Sequence, residues 1–312
     1  MPLESSHDLT EHAYRNGYGI GYFESWNLES LQGVVDAAEK TRSPIIIGFN
    51  GEFLSNPDRD AAENLAWYAA VGRAAAESAK VPCGLIFNEC PNDDWVLNAI
   101  DLGFNLVMPV DSQASYEDYS QRVGEITDYA HAHGAAVEAE LDELPFGGGG
   151  HHAHNAQYHN SVGAAASIAF PSAIRTEPQR LAEFVEATQV DLLAVSVGNI
   201  HVTLDGEFDI DLERLAELHD CVPVPLVLHG GSGIAPDALR VAVKMGVAKV
   251  NFGTYLKQQY LAAIRRALAV ENQNPHVLLG MGSRADVMVV GRNAVRDAVL
   301  DRIDLLGCCG RA

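Results

Sequence analysis

Basic residues are scarce in this 312-residue sequence: 21 lysines and arginines stand against 42 aspartates and glutamates, a formal charge of −21. No nucleic-acid partner is expected, because neutralising phosphates takes clustered Lys and Arg. Small phosphorylated ligands stay open, since helix N-termini and backbone amides can hold them. Cysteine is sparse as well. Cys83, Cys90, Cys221, Cys308 and Cys309 are odd in number and irregularly spaced, with no C-x-x-C and no zinc-finger spacing. That pattern points to a reducing, cytoplasmic setting without a disulfide framework. Long apolar runs are missing too, and none approaches the roughly 20 residues of a membrane span. The N-terminal M-P-L-E-S-S-H-D-L-T-E-H has no basic region followed by an apolar one. Neither a membrane partner nor a secretory signal is expected.

What is present is a globular composition, 47% hydrophobic and 20% charged. The length suits one large α/β domain or two smaller ones. Short apolar runs alternate with amphipathic stretches from residue 17 onward. Strands are predicted at 17–23, 44–50, 83–89, 105–111, 135–141, 192–198, 225–230 and 249–254. Helical patterns occupy 58–80, 115–133, 178–188, 211–219 and 236–245. Near-continuous apolar strands separated by helices read as buried parallel strands. Eight such units predict an α/β fold, a (β/α)8 TIM barrel, with a doubly wound open sheet as the competing architecture. The chain stays helical past residue 254, at 255–270 and about 285–306. We therefore expect a single domain over 1–312, with the barrel at about 17–270 and a C-terminal helical extension at about 271–312. The stretch L-P-F-G-G-G-G-H-H-A-H-N-A-Q-Y-H at 144–159 reads as a loop after the fifth strand.

In such a barrel the functional residues gather at the C-terminal ends of the strands. Those ends carry Asn88, Glu89, Asp111, Glu138, Glu140, His201, His229 and Asn251. Imidazoles plus a carboxylate suit a divalent metal, most often zinc. One histidine at a strand end is ordinarily a satisfied surface or core residue; several metal-capable side chains on one rim argue for a site. The H-G-G-S-G of residues 229–233 follows a strand and precedes a helix near Pro236. Its glycines would let backbone N–H groups approach an anion at the helix N-terminus. V-N-F-G-T at 250–254 repeats the arrangement with Asn251, Gly253 and Thr254. Gly/Ser turns are common, but a pair after strands seven and eight matches the usual phosphate position of this fold. The H-H-A-H of the loop at 151–154 is a rival metal site, and equally a solvated loop.

Three blocks in order, L-L-A-V-S-V-G-N-I-H, P-L-V-L-H-G-G-S-G-I and G-V-A-K-V-N-F-G-T, make the sequence similar to the class II, metal-dependent ketose-bisphosphate aldolases. The likeness runs from G-Y-G-I-G-Y-F-E-S-W-N-L-E to the C-terminal C-C-G-R-A and is nearest the tagatose-type branch. It implies a TIM barrel holding one Zn2+, Lewis-acid activation of dihydroxyacetone phosphate, and an enediolate formed without a Schiff-base lysine. It also implies a homodimer or homotetramer. By the same resemblance His201 and His229 are metal ligands, Glu140 is a carboxylate beside the metal, and Gly230, Ser232, Asn251 and Thr254 hold a phosphate.

The departures from that pattern are as informative. Asn88 and Glu89 stand where the resembled family has Asp and a ligand His. Glu89 remains a competent metal donor, whereas Asn88 can hydrogen-bond a substrate oxygen but exchanges no proton. Glu24 replaces an Asn of the first strand, and a carboxylate there would repel a second phosphate. His276 replaces the Arg that would bind that phosphate, and lacks both its permanent charge and its fork geometry. Val202 replaces a Gly after the second ligand His. For proton transfer, Glu143 and the histidines at 151, 152, 154 and 159 are the replacements nearby. We expect a metal-dependent carbon–carbon lyase acting on a ketose (mono)phosphate or related sugar-derived substrate through a metal-stabilised enediolate, with a sugar phosphate such as dihydroxyacetone phosphate and an aldehyde as its partners. The alternatives are an isomerase, epimerase or dehydratase on the same scaffold, or a non-catalytic sugar-phosphate-binding relative.

Overall fold

The computed structural model describes residues 3–141, 177–200, 206–269 and 274–312. Helix α1 (Ser6–Asn16) leads into β1 (Ile20–Glu24), α2 (Leu28–Thr41) and β2 (Ile45–Asn50). Then come α3 (Gly51–Ser55), α4 (Leu65–Ser78), β3 (Cys83–Cys90), α5 (Asp93–Asp101) and β4 (Leu106–Pro109). The middle of the chain supplies α6 (Tyr116–Ala132), β5 (Ala136–Glu140), α7 (Pro178–Thr188), β6 (Leu192–Ala194) and α8 (Leu212–Cys221). The last barrel elements are β7 (Leu226–Leu228), α9 (Pro236–Lys244), β8 (Val247–Phe252) and α10 (Thr254–Leu268). Helices α11 (Pro275–Leu278) and α12 (Val287–Ile303) follow. The strands close into one barrel in the order β1 to β8. All eight pairings are parallel, and β1 meets β8 with Tyr22 opposite Asn251. The predicted TIM barrel is therefore the fold, and the open sheet is not.

The expected strands appear where the apolar runs lie, because residues such as Ile45, Ile46, Ile47, Leu226, Val227 and Leu228 are all fully buried. The helical reading of 58–80 needs correction: residues 56–64 are irregular and α4 begins only at Leu65. Asn64 caps it by accepting from the N–H of Ala66. Helices α1, α2 and α5 were not predicted. Each starts at a polar cap that accepts a first-turn N–H: Ser5, Asn27 and Asn92 respectively. The predicted C-terminal helix at about 285–306 is α12, whose buried face of Val295, Ala298, Val299 and Ile303 packs against α2 and α10. Among the described residues no helix is long and apolar enough to cross a membrane.

Candidate active site

In a closed barrel alternate residues of each strand point inward. The inward set at the C-terminal mouth is polar. Strand β1 contributes Tyr22 and Glu24, β5 contributes Glu138 and Glu140, β8 contributes Lys249 and Asn251, and His229 follows β7. Glu138 and Lys249 are 0% exposed, and Asn88, Glu89, His229 and Asn251 are buried beside them.

The end of β3 is distorted to build this mouth. Its register against β4 slips between Phe87 and Cys90, and Glu89 takes φ of 55°. That left-handed backbone costs a residue with a Cβ about 1–2 kcal/mol, and such strain concentrates at functional sites. The kink accompanies a buried glutamate at the mouth, where Asn50 Nδ2 donates to Glu89 Oε2 at 2.8 Å.

His229 is the hub. Its Nε2 lies 2.8 Å from Glu138 Oε1, and the other Glu138 oxygen is 2.8 Å from Lys249 Nζ. Burial opposes ionisation of Glu138, but the Lys249 charge and the bonds from His229 and Lys249 outweigh it and hold this carboxyl below its usual range. An ionised carboxylate only accepts, so Nε2 carries the hydrogen and a neutral ring keeps its lone pair on Nδ1. Nδ1 faces Glu89 Oε1 at 3.4 Å and Glu140 Oε2 at 3.7 Å. Tetrahedral Zn2+ with bonds of about 2.0–2.2 Å sets its ligand atoms roughly 3.4 Å apart, close to the distances at which Glu89 Oε1 and Glu140 Oε2 stand from Nδ1. They do not by themselves complete a centre: among the described residues no group of three or more His, Cys, Asp or Glu side chains qualifies as able to hold a metal ion.

The loop after β7 lies against β8. Gly230 adopts φ of 67°, a conformation open to glycine, and Gly233 N–H donates back to Gly230 O at 3.0 Å. Gly231 N–H donates to Asn251 O, and Ser232 Oγ accepts from Tyr255 N–H in the first turn of α10 at 3.2 Å. Asn251 Oδ1 accepts from Lys249 Nζ, while its Nδ2 is buried without a hydrogen-bond partner. Asn88 Oδ1 and the Tyr22 hydroxyl are orphaned in the same way. Each such atom costs about 1–3 kcal/mol unless a ligand or water answers it. Burial first, then the charges of Glu24, Glu89 and Glu138, push the Tyr22 phenol well above its ordinary pKa, so it is a permanent O–H donor near three carboxylates.

Glu24 ends β1, the neighbour of β8 in the barrel. Lys257 Nζ is 2.6 Å from Glu24 Oε1 and also lies 4.6 Å from the Phe53 ring centroid. The second carboxylate oxygen fills the space beside Gly253, where a Cβ would approach it to 2.3 Å.

Of the residues singled out from sequence, Asn88, Glu89, Glu140, His229, Gly230, Ser232, Asn251, Thr254 and Glu24 lie at the barrel's C-terminal mouth. His276 is exposed on the short α11, its N–H donating to Asn274 Oδ1. Asp111 pairs with Arg122 Nη1 at 2.6 Å and accepts from the N–H groups of Gln113 and Ala114, so it orders the β4–α6 loop. His201, Val202, Glu143 and the histidines at 151, 152, 154 and 159 fall outside the described residues. Sequence reasoning missed Lys249, Tyr22, Asn50 and Lys257. A lysine within the apolar run V-A-K-V-N-F was the available signal, because a charge on a buried strand needs a partner. Asn199 was missed too: fully buried, it accepts from Val197 N–H and donates to His229 O at 3.2 Å, joining the loop after β6 to β7.

Comparison with known proteins adds an independent line. The family described as fructose-bisphosphate aldolase class-II matches the chain over residues 4–311. The Escherichia coli K12 protein YdjI is 33% identical over 295 residues, covering 95% of this chain and 94% of that one. The crystal structure of the YdjI aldolase superposes with a TM-score of 0.77 at 29% identity, covering 99% of both chains. A fructose-bisphosphate aldolase of Campylobacter jejuni shares the fold, with a TM-score of 0.73 at 21% identity and coverage of 99% and 97%.

Proposed function

The chain belongs to the class-II fructose-bisphosphate aldolase family and is an aldolase-like carbon–carbon lyase, and we propose that its substrate is a ketose phosphate with a single phosphate. The family is generally divalent-metal dependent. We take the ion to be Zn2+, held by Glu89, His201 and His229 with Glu140 beside it. A cation there supplies Lewis acidity that polarises a substrate carbonyl. The single observation that carries this reading is the convergence of Glu89 Oε1 and Glu140 Oε2 on the Nδ1 side of His229.

The remaining roles belong to the chain's own groups. Gly230, Ser232, Asn251 and Thr254 form the phosphate cradle, with Asn251 Nδ2 as a donor toward the anion. Asn88 orients a substrate oxygen but moves no proton. Glu140 and Glu143 are the carboxylates available for proton transfer. Glu24, with Oε1 held by Lys257, presents a carboxylate where a second phosphate would be repelled, and His276 offers no permanent charge to offset that. The far end of the substrate is therefore an unphosphorylated, hydroxyl-bearing aldehyde carbon chain.

The test is isotope exchange. Dihydroxyacetone phosphate incubated with the protein in deuterated water should lose its C1 proton signal by NMR, and a chelator should stop the loss. No exchange from metal-loaded protein would remove this donor. A second reading, isomerase or epimerase chemistry, is favoured by Asn88, since removing a C1 proton needs a base but no acid for an aldehyde. Exchange without condensation across a panel of unphosphorylated aldehydes would select it. We also propose a cytoplasmic homodimer or homotetramer. Its five free cysteines and the exposed Leu268, Leu279 and Met281 support that reading, which light scattering would check.

A further inference from the structure

Lys249 is a fully buried lysine to which the proposed chemistry gives no task. Desolvating an ammonium costs several kcal/mol, and an apolar side chain of similar length would fill the same space without that cost. Its contacts say what the charge accomplishes. Nζ reaches Glu138 Oε2 at 2.8 Å and Asn251 Oδ1 at 2.5 Å, and lies 5.0 Å from the Tyr22 ring centroid.

Each polar contact removes an ambiguity in a neighbour. With Lys249 on one oxygen, the Glu138 carboxylate offers the other to His229 Nε2, 2.8 Å away. The imidazole hydrogen is thereby fixed at Nε2, and Nδ1 keeps its lone pair on the side of Glu89 and Glu140. Buried carboxylate–imidazole contacts of this kind orient metal-ligating rings. At Asn251 an ammonium can only donate, so the amide must turn its oxygen to Lys249. That leaves Nδ2, buried and without a partner, as the donor for a ligand. The two consequences lie on opposite sides of one charge.

We infer that Lys249 is a positioning residue that sets His229 for the metal and Asn251 for the substrate phosphate at once. The inference rests on the metal and phosphate reading above, and it goes further by making the two half-sites depend on a common buried group. A lysine that only filled the core would affect stability without coupling the two.

The test uses the full-length protein and the E138Q/K249M double variant, which removes both charges together and leaves no uncompensated buried ion. Three quantities are measured: thermal melting, Zn2+ affinity by chelator competition, and dihydroxyacetone phosphate affinity by calorimetry. The expected result is a folded variant that binds Zn2+ about 10- to 100-fold more weakly and the phosphate compound at least about fivefold more weakly. Retention of both affinities within about twofold in a folded variant would overturn the inference. If the variant does not fold, 15N spectra of His229 in metal-free wild-type protein decide instead. A hydrogen on Nε2 supports the inference, and one on Nδ1 overturns it. Wild-type protein that binds no divalent metal would defeat the metal reading itself, while the imidazole spectrum would still report the His229 tautomer that the Glu138–Lys249 pair is inferred to set.

Discussion

Glu89 shows how much chemistry a single position can carry. Its identity was legible in the sequence as a carboxylate standing where the resembled family has a histidine. Its backbone was not legible, since nothing in I-F-N-E-C announces a glutamate at φ of 55°. If the strain serves metal binding, removing the charge alone should separate the two. Glu89→Gln keeps the side-chain shape and an oxygen for Asn50, so melting should shift little while Zn2+ affinity falls by at least about tenfold; chelator competition would show it. The cysteines provide a second test at this scale. Burial pushes the thiols of Cys83 and Cys308 up to about 12 and that of Cys90 up to about 11, while Cys221 and Cys309 are exposed. Native protein at neutral pH should therefore react with a thiol reagent at Cys221 and Cys309 only, and denatured protein at all five cysteines. The sign of the linkage follows from the same shifts. Above about pH 9 the unfolded thiols lose protons that the folded ones keep, so the unfolded state binds fewer and stability falls as pH rises toward 11–12. Melting temperature measured from pH 8 to 11 should decline.

Among the elements, the strands were easier to read than their ends. Strand β6 was expected over 192–198 but stops at Ala194. Beyond it Val197 N–H turns to Asn199 Oδ1, and Val197 O accepts from Asp211 N–H. The apolar pattern continues there, but the backbone partners come from loops that a sequence window does not see. Helix α2 was missed although its start holds a reciprocal cap, Asn27 Oδ1 accepting from Ser30 N–H and Ser30 Oγ from Asn27 N–H. A serine in place of the usual Glu or Gln obscured that signature. The junction of β1 with α10 makes a prediction of its own. In Gly253→Ala the new methyl would press on Glu24 Oε2, at the far end of a side chain and not on backbone, so the carboxylate can swing aside and the fold should survive. The Glu24–Lys257 geometry would not. If that pair excludes a second phosphate, the preference for glyceraldehyde over glyceraldehyde 3-phosphate, measured as a ratio of kcat/KM values, should shrink by about tenfold or more, roughly the 1.4 kcal/mol of one displaced charge contact. An unchanged ratio would show that Glu24 does not read that end of the substrate.

For the whole molecule, the inference from eight apolar runs to a closed barrel held because parallel strands covered by helices must be apolar on both faces. The same rule explains what stayed hidden: the polar interior of the mouth interrupts those runs with Lys249 and Glu138, which are paired across the barrel and not along the sequence. The C-terminal extension tests whether barrel and flanking helices act as one unit. Helix α12 lies on α2 through the Arg292–Asp36 pair, at 2.5 and 2.7 Å, and through Val295 beside Gly33. A Cβ on Gly33 would come within 2.6 Å of Arg292 O and 3.0 Å of Arg296 N, both backbone atoms of a helix interior. No side chain can move aside there, so α12 itself must shift. Gly33→Ala should cost about 1–3 kcal/mol as overpacking, lowering the melting temperature by a few degrees. Because α12 also packs on α10 and Leu305 and Leu306, in the turn that follows it, are buried, the loss should appear as one earlier transition. If Zn2+ is held as proposed, its affinity should stay at the wild-type value, since the change lies outside the barrel wall and the proposed donors Glu89 and Glu140 are carried by β3 and β5, with His229 directly after β7. Two separate transitions in calorimetry would instead mean that α12 unfolds on its own and that the extension is a detachable cover, and a parallel loss of Zn2+ affinity would mean that the helix helps hold the mouth in shape through β1.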